Sequence, residues 1–300
     1  DITFRSMAFK GKEYPVNQFK KTAVLTGSTG GIGQEIARIL AQKGWNLGLI
    51  NRSLSKTNLQ LEELRNDYSN QEFTGFTANL MDISELERVA EEVGTKYDQI
   101  SALYNIAGLL TDKRIMSPQN LEGHFAINTL APYFLTQRLR KLLSSGTTSD
   151  RTAAVINFSS SAANSVKELD VVTLINPEEI GGLMGAYANT KAAIAAASLA
   201  IQEELLADRI LIVIVDPGPT KTSMTQSSDG MPFFLRLLQP ILFKSAQFQA
   251  QRLVNGAEVA VRSGKSGLFI SEGSQKKNPE IALNKNIQTQ VKLLLDRQLQ

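Results

Sequence analysis

Thr26-Gly27-Ser28-Thr29-Gly30-Gly31-Ile32-Gly33 is the stretch on which the fold turns. Immediately before it, Thr22-Ala23-Val24-Leu25-Thr26 reads as a strand. Immediately after it, Ile32, Ile36, Ile39 and Leu40 recur at helical spacing. Glycine permits the tight turn between the two and leaves the backbone room to approach a ligand. The helix N-terminus then offers free N–H groups and a partial positive charge. A glycine turn alone is equally well a structural turn. The strand before it and the helix after it make it a cradle for the pyrophosphate of a dinucleotide. Gly27, Ser28, Thr29, Gly31, Ile32 and Gly33 are the expected contacts.

Outward from this point, strand-like and helix-like patterns alternate. Leu47 to Ile50 reads as a second strand, followed by a polar helix around residues 55–68. Phe73 to Thr77 gives a third strand, and Asp82-Ile83-Ser84-Glu85 reads as a helix start with a capping box from Asp82 to Glu85. Ile100 to Tyr104 and Ala153 to Phe158 are a fourth and a fifth strand. An Ala-rich helix spans about Gly185 to Ala207. Ile210-Leu211-Ile212-Val213-Ile214-Val215 is continuously apolar, as expected of a central parallel strand covered on both faces. Leu268-Phe269-Ile270 closes the series. The expected fold is α/β: a doubly wound, Rossmann-type parallel sheet with helices on both faces, in a single domain. The expected bounds are 21–272, after an N-terminal extension 1–20 and before a C-terminal tail helix 273–300.

Composition narrows the chemistry. The 300 residues contain no cysteine and one histidine, which excludes thiolate nucleophiles, disulfides and multi-histidine metal sites; no metal is expected. The net charge is only +3, without a basic run, so nucleic acid is not an expected partner. No apolar run reaches the ~18 residues of a membrane span, and no signal-peptide pattern opens the chain. A cytoplasmic protein is expected. The segment 231–243 is strongly apolar and carries Pro232 and Pro240. It reads either as a packed helix or as a flap over an apolar substrate or a membrane-touching surface.

The end of the second strand should meet the adenosine ribose. An acid there suits NAD; this chain has Asn51-Arg52-Ser53. With no carboxylate to repel a 2′-phosphate, Arg52 can pair with one, which favours NADP(H) over NAD. The alternative is that Arg52 is a solvated surface residue. In the Ala-rich helix, Tyr187 and Lys191 stand four residues apart and share a face. An ammonium near a phenol favours the phenolate and lowers its pKa from ~10.

With these motifs in this order, the chain resembles the short-chain dehydrogenase/reductase family over roughly residues 20–270. Thr26 to Gly33 resembles the family's glycine motif, and Asn105-Ile106-Ala107-Gly108 its NxAG after the fourth strand. Ile156-Asn157-Phe158-Ser159-Ser160 resembles the strand ending in the catalytic serine. Tyr187 and Lys191 resemble YxxxK, and Pro217-Gly218 with Thr222 resembles the PG turn beside the nicotinamide. The resemblance implies a catalytic set of Asn128, Ser160, Tyr187 and Lys191. In it, Tyr187 is the general acid or base, Lys191 lowers its pKa and holds the nicotinamide ribose, and Ser160 bonds the reacting oxygen. Asn128 holds a water that links Lys191 to solvent. Ser159 and Ser161 flank Ser160, so the assignment is open by one place. Cofactor contacts are implied at Asn51, Arg52, Asn79, Leu80, Asn105, Ala107, Gly108, Tyr187, Lys191, Pro217, Gly218 and Thr222. Asn79 stands where the family often has an aspartate near the adenine.

The 27 residues from Ser160 to Tyr187 are about twice the family's common spacing. The extra segment 166–182 and the apolar stretch within a substrate loop 223–245 resemble the retinol-dehydrogenase-like branch. His124, one turn before Asn128, reads as structural and without an evident acidic partner. The implied function is NADP(H)-dependent hydride transfer on an apolar alcohol or carbonyl. A non-catalytic NADP(H)-binding regulatory module and a reductase of an activated C=C bond are the alternatives. Many relatives pair through the helices carrying Asn128 and Tyr187; a homodimer is left open.

Overall fold

The computed structural model describes residues 21–149, 151–182, 184–221 and 243–300. The extension 1–20, Thr222, almost all of the loop 223–245 and the stretch 231–242 lie outside the described residues. The first half alternates regularly: β1 (Thr22–Thr26), α1 (Gly31–Gln42), β2 (Asn46–Asn51), α2 (Leu54–Asp67), β3 (Phe73–Thr77), α3 (Ile83–Lys96) and β4 (Ala102–Asn105). A short helix α4 (Gly123–Phe125), a π turn (Ala126–Leu130), α5 (Ala131–Arg138) and α6 (Arg140–Ser145) lead to β5 (Ala153–Phe158). Then come α7 (Gly185–Ala207), β6 (Ile210–Asp216), two-residue strands β7 (Thr220–Lys221) and β8 (Lys244–Ser245), α8 (Ala246–Arg262), β9 (Leu268–Ser271) and β10 (Ser274–Lys276).

The eight-stranded sheet runs β3-β2-β1-β4-β5-β6-β9-β10. All its pairings are parallel except β9 with β10. Side chains alternate between two cores, as the pleat requires. Val24, Leu103, Val155, Ile212 and Ile214 face α3, α5 and α7. Leu25, Tyr104, Ile156, Val213 and Val215 face α1 and α8. This is why Ile210–Val215 is apolar at every position: both faces are covered.

Three local readings differ from the sequence expectation. Asp82 caps α3 by accepting from the Ser84 amide at 3.0 Å, but Glu85 does not return the bond; it pairs with Arg88 on the helix surface. The sheet does not end at Ile270. Glu272 and Gly273, with φ of 48° and 79°, form the two-residue turn that brings β10 back antiparallel. The expected C-terminal tail helix, Lys285–Arg297, is part of the core rather than an appendage to it. Ala282, Val291 and Leu295 are fully buried in the core beneath α7. The segment 166–182 packs likewise, with Leu169, Val171 and Leu174 in that core.

Candidate active site

The cradle, Asn51-Arg52, Asn79-Leu80, Asn105 to Gly108, Ser160 and Pro217-Gly218 follow the C-terminal ends of β1 to β6, the edge where open α/β sheets bind ligands, while Asn128 lies in the π turn and Tyr187 and Lys191 in α7. The cradle follows β1. Gly27 and Gly31 have φ of 70° and 53°, values that favour glycine. A Cβ on Gly33 would stand 2.2 Å from the Gly27 carbonyl oxygen, and one on Gly27 would stand 2.9 Å from the Ala107 backbone. Thr26 Oγ1 accepts from the amides of Ile106 and Ala107, both at 3.1 Å, tying the cradle to the turn after β4. No acidic residue stands in the first turn of α1. Thr29 lies at the partly open face of the turn, while Ile32 turns its side chain into the core, leaving only its backbone toward a ligand.

Below the turn is a polar network that the sequence did not reveal. Asn51 Oδ1 accepts from the Ser28 amide at 2.7 Å, and its Nδ2 donates to Ser28 Oγ at 3.0 Å. Gln60 Nε2 donates to the Ser28 carbonyl at 2.8 Å, and Ser28 Oγ donates to Gln60 Oε1 at 2.9 Å. The Asn51 and Ser28 side chains, expected at the ligand, are therefore buried beneath it and set the shape of the turn. Arg52, next along, is exposed and carries no bond to a protein group among the described residues. Asn79 is half-buried and accepts from the Met81 amide at 3.3 Å; Leu80 packs on the core.

Asn105 serves the sheet: its Nδ2 donates to Asn157 Oδ1 at 2.8 Å, across the β4–β5 pair. Its Oδ1 is buried and has no partner among the described residues. Asn128 lies in the π turn. Its Oδ1 accepts from the Leu109 amide at 2.7 Å, and its Nδ2 donates to the Leu109 carbonyl at 3.0 Å and to Thr190 Oγ1 at 3.1 Å. Both donors are thus committed, leaving one lone pair on Oδ1 as the only part of the carboxamide free for a relay water. A Cβ on Gly108 would lie 3.3 Å from Asn128 Oδ1 and 3.6 Å from Lys191 Nζ, so Gly108 keeps the space between them open.

His124 has the acidic partner that the sequence reading did not find. Glu122 Oε1 lies 2.9 Å from His124 Nδ1, and Glu122 Oε2 accepts from the His124 and Phe125 amides as the cap of α4. His124 Nε2 accepts from the Thr111 amide at 3.2 Å. That bond needs a bare Nε2, so the proton of the neutral ring sits on Nδ1, toward Glu122. Both side chains are fully buried.

Ser160, Tyr187 and Lys191 come together. The Ser160 side chain lies close enough to the Tyr187 hydroxyl to favour its ionised form. Ser159 instead donates to the Lys191 carbonyl at 2.7 Å, and Ser161 is exposed. Lys191 Nζ donates to the Phe158 carbonyl at 2.7 Å and lies 5.8 Å from the Tyr187 ring centre. Burial pulls the Lys191 ammonium from 10.5 down to about 8, against an opposing pull from Asp216. Tyr187 moves the other way from the expected depression. Burial raises its pKa, the nearby Ser160 side chain lowers it, and Asp216 raises it further. The ammonium is turned to Phe158 rather than to the phenol oxygen, and the desolvation of the phenolate wins. Asp216, at the end of β6, was not singled out in the sequence. It accepts from the Gly218 amide at 3.0 Å and from Ser271 Oγ at 2.8 Å, fixing the Pro217-Gly218 turn. Gly218 has φ of 67°. Thr222 lies outside the described residues; just before it, β7 pairs with β8, Thr220 beside Lys244 and Lys221 beside Ser245.

No helix among the described residues is long and apolar enough to cross a membrane. The chain is 23% identical to human polyprenol dehydrogenase over 274 residues, 90% of this chain and 82% of the relative. It is 26% identical to retinol dehydrogenase 12 of Mus musculus over 260 residues, 84% of this chain and 78% of the relative. Its fold is that of the Pseudomonas aeruginosa RhlG/NADP active-site complex, with TM-score 0.67, 21% identity and coverage of 88% and 96%. It is likewise that of 3-ketoacyl-(acyl-carrier-protein) reductase from Brucella melitensis complexed with NADH, with TM-score 0.64, 17% identity and coverage of 84% and 96%. The family model described as short chain dehydrogenase matches residues 21–231, and the chain belongs to the short-chain dehydrogenase family, resembling its retinol-dehydrogenase-like branch.

Proposed function

We propose that this oxidoreductase is NADP(H)-dependent and interconverts an apolar alcohol and its carbonyl compound, with Tyr187 as general acid and base. The observation that carries the reading is the meeting of Ser160, Tyr187 and the buried Lys191, with Lys191 Nζ 5.8 Å from the Tyr187 ring centre and the Ser160 side chain acting on the Tyr187 phenol. The cradle suits a pyrophosphate: Gly33 sits where a side chain would strike the Gly27 carbonyl, and no carboxylate opposes an anion in the first turn of α1. Gly27, Thr29, Gly31 and the Ile32 and Gly33 amides would hold it, with Arg52 at the 2′-phosphate. A bound nicotinamide supplies or accepts the hydride.

The remaining work belongs to the chain. Tyr187 gives its proton to the carbonyl oxygen in reduction and takes it back in oxidation. Its raised pKa keeps it protonated at neutral pH, as reduction requires. Ser160 positions the same oxygen and stabilises charge developing on it. Lys191 holds a positive charge in a dry site, and Asn128 fixes the loop that borders it. The apolar substrate class rests on the relatives named polyprenol and retinol dehydrogenase and on the apolar stretch 231–243.

The test is reduction of a panel of lipophilic aldehydes and ketones with NADPH or NADH. Wild type should turn over at least one of them with NADPH preferred, and Tyr187→Phe should lose about a thousandfold or more. Retained turnover in Tyr187→Phe would remove the assigned acid. Tight NADPH binding without turnover of any substrate would favour a regulatory module.

A further inference from the structure

At the opposite edge of the sheet, away from the cradle, the N-terminal ends of β1, β4 and β5 and the last turns of α8 enclose a cavity of about 440 Å³. Its charged lining is Lys21, Arg151, Arg262 and a single carboxylate, Glu258. Glu258 is already answered by Lys43 at 3.0 Å and Arg262 at 3.1 Å. Lys21 lies over the Trp45 ring, 5.5 Å from its centre. Arg151 is the informative residue. Its Nε and Nη2 are buried and have no hydrogen-bond partner among the described residues.

A buried guanidinium edge without an acceptor is costly, and native proteins seldom leave one. Nε and Nη2 are the two adjacent donors on one side of the guanidinium plane. Their parallel N–H bonds match the two oxygens of a carboxylate. The rest of the cavity is of two kinds. Ser101, Tyr104 and Thr152 bring hydroxyls, while Trp45, Ile156, Ala257 and Val261 form an apolar wall. A free inorganic anion would satisfy the cations and leave that wall without a contact.

We propose that this cavity binds a small amphipathic carboxylate. Its carboxylate sits on the Nε–Nη2 edge of Arg151 beside Lys21, and its apolar body lies against Trp45 and the α8 wall. The volume falls within the range of small-molecule pockets. The site is separate from the cradle and from Tyr187, so it does not depend on the reading of the reaction.

Trp45 is the chain's only tryptophan, so tryptophan fluorescence reports on this cavity alone. The experiment titrates the apoprotein with hexanoate, with hexanol as the neutral counterpart and inorganic phosphate as the anion without a body. Hexanoate should give a saturable change, with hexanol and phosphate at least about tenfold weaker. Arg151→Leu should weaken hexanoate by about tenfold or more. Lys21→Glu, at an exposed position, should weaken it about fivefold and keeps the test decisive if Arg151→Leu does not fold. Three results would each overturn the proposal: no saturable response to hexanoate, an unchanged affinity in a variant that folds, or phosphate or hexanol binding as tightly as hexanoate.

Discussion

Ser159 and Ser160 are neighbours in the chain and face different groups: Ser159 donates to the Lys191 carbonyl at 2.7 Å, while the Ser160 side chain acts on the Tyr187 phenol. The two should therefore separate by experiment. Ser160→Ala removes a donor from the reacting oxygen and should lower kcat/KM by about a hundredfold to a thousandfold with little change in melting temperature. Ser159→Ala should instead destabilise the fold by about 1 kcal/mol, leaving the Lys191 carbonyl short of a buried partner. Paired kinetics and thermal melts on both variants check this. Equal kinetic losses would mean that the strand-end geometry does not discriminate between the serines.

The buried Lys191 ammonium makes stability depend on pH in a defined sense. Its folded pKa, about 8, lies below the unfolded value of 10.5. Below pH 8 the folded protein carries a buried charge, and that cost is relieved as the pH rises from 8 towards 10.5. At 1.36 kcal/mol per pKa unit the relief is on the order of 3 kcal/mol. Tyr187 opposes it above about pH 10, because a phenol with a raised folded pKa loses its contribution once the unfolded chain ionises. Lys191→Met should thus be more stable than wild type at pH 7, and most of that difference should be gone by pH 10. Denaturant titrations of the apoprotein at both values measure the difference. A constant gap would contradict a strongly desolvated ammonium.

Arg52 stands exposed beyond Asn51, with no protein partner among the described residues. Arg52→Ala should raise the Kd for NADPH by about tenfold to a hundredfold, the range of one charge-assisted pair, and leave NADH within about twofold. Calorimetric titration of both nucleotides decides it. A parallel loss for both would place Arg52 outside 2′-phosphate recognition.

Two glycines of the cradle should respond in opposite ways. A Cβ on Gly33 meets the Gly27 carbonyl oxygen at 2.2 Å, whereas nothing lies within 4 Å of one on Gly30, whose φ of −173° suits any residue. Gly33→Ala should abolish dinucleotide binding or unfold the N-terminal half. Gly30→Ala should leave melting within a degree or two and the bound-nucleotide affinity within about threefold. Melting curves with and without NADPH compare them.

The parts legible in the sequence were those written in local pattern. The strand–glycine–helix order around Gly27, the doubly apolar run of β6 and the four-residue spacing of Tyr187 and Lys191 each reflect one element's own geometry. The parts that escaped depend on which side chains meet after folding. Gln60 lies on a helix of polar sequence, yet it is buried against Ser28. Asp216 looks like the last residue of an apolar strand and proves to hold the turn after it. Glu122 stood two residues from His124 and was still missed, because glutamate is not among the usual capping residues. The Tyr187 pKa also depends on which groups meet after folding. Helical spacing places the lysine near the ring, but only the fold turns its ammonium to Phe158.

The π turn over Ala126–Leu130 has a consequence for how the two halves of its helix are phased. Its wide bond runs from the Ala131 amide to the Ala126 carbonyl, one residue longer than an α-helical bond. Upstream, His124 holds Thr111; within the turn, Asn128 holds Leu109 and Thr129 holds the Thr190 carbonyl. An α-helix advances about 100° per residue. Removing a single residue here would rotate one half against the other by about that angle, so that Thr111 and Thr190 could no longer be gripped together. The extra residue works as an angular offset between the loop after β4 and helix α7, and the relative bearing of Gly108 and Lys191 is set by it.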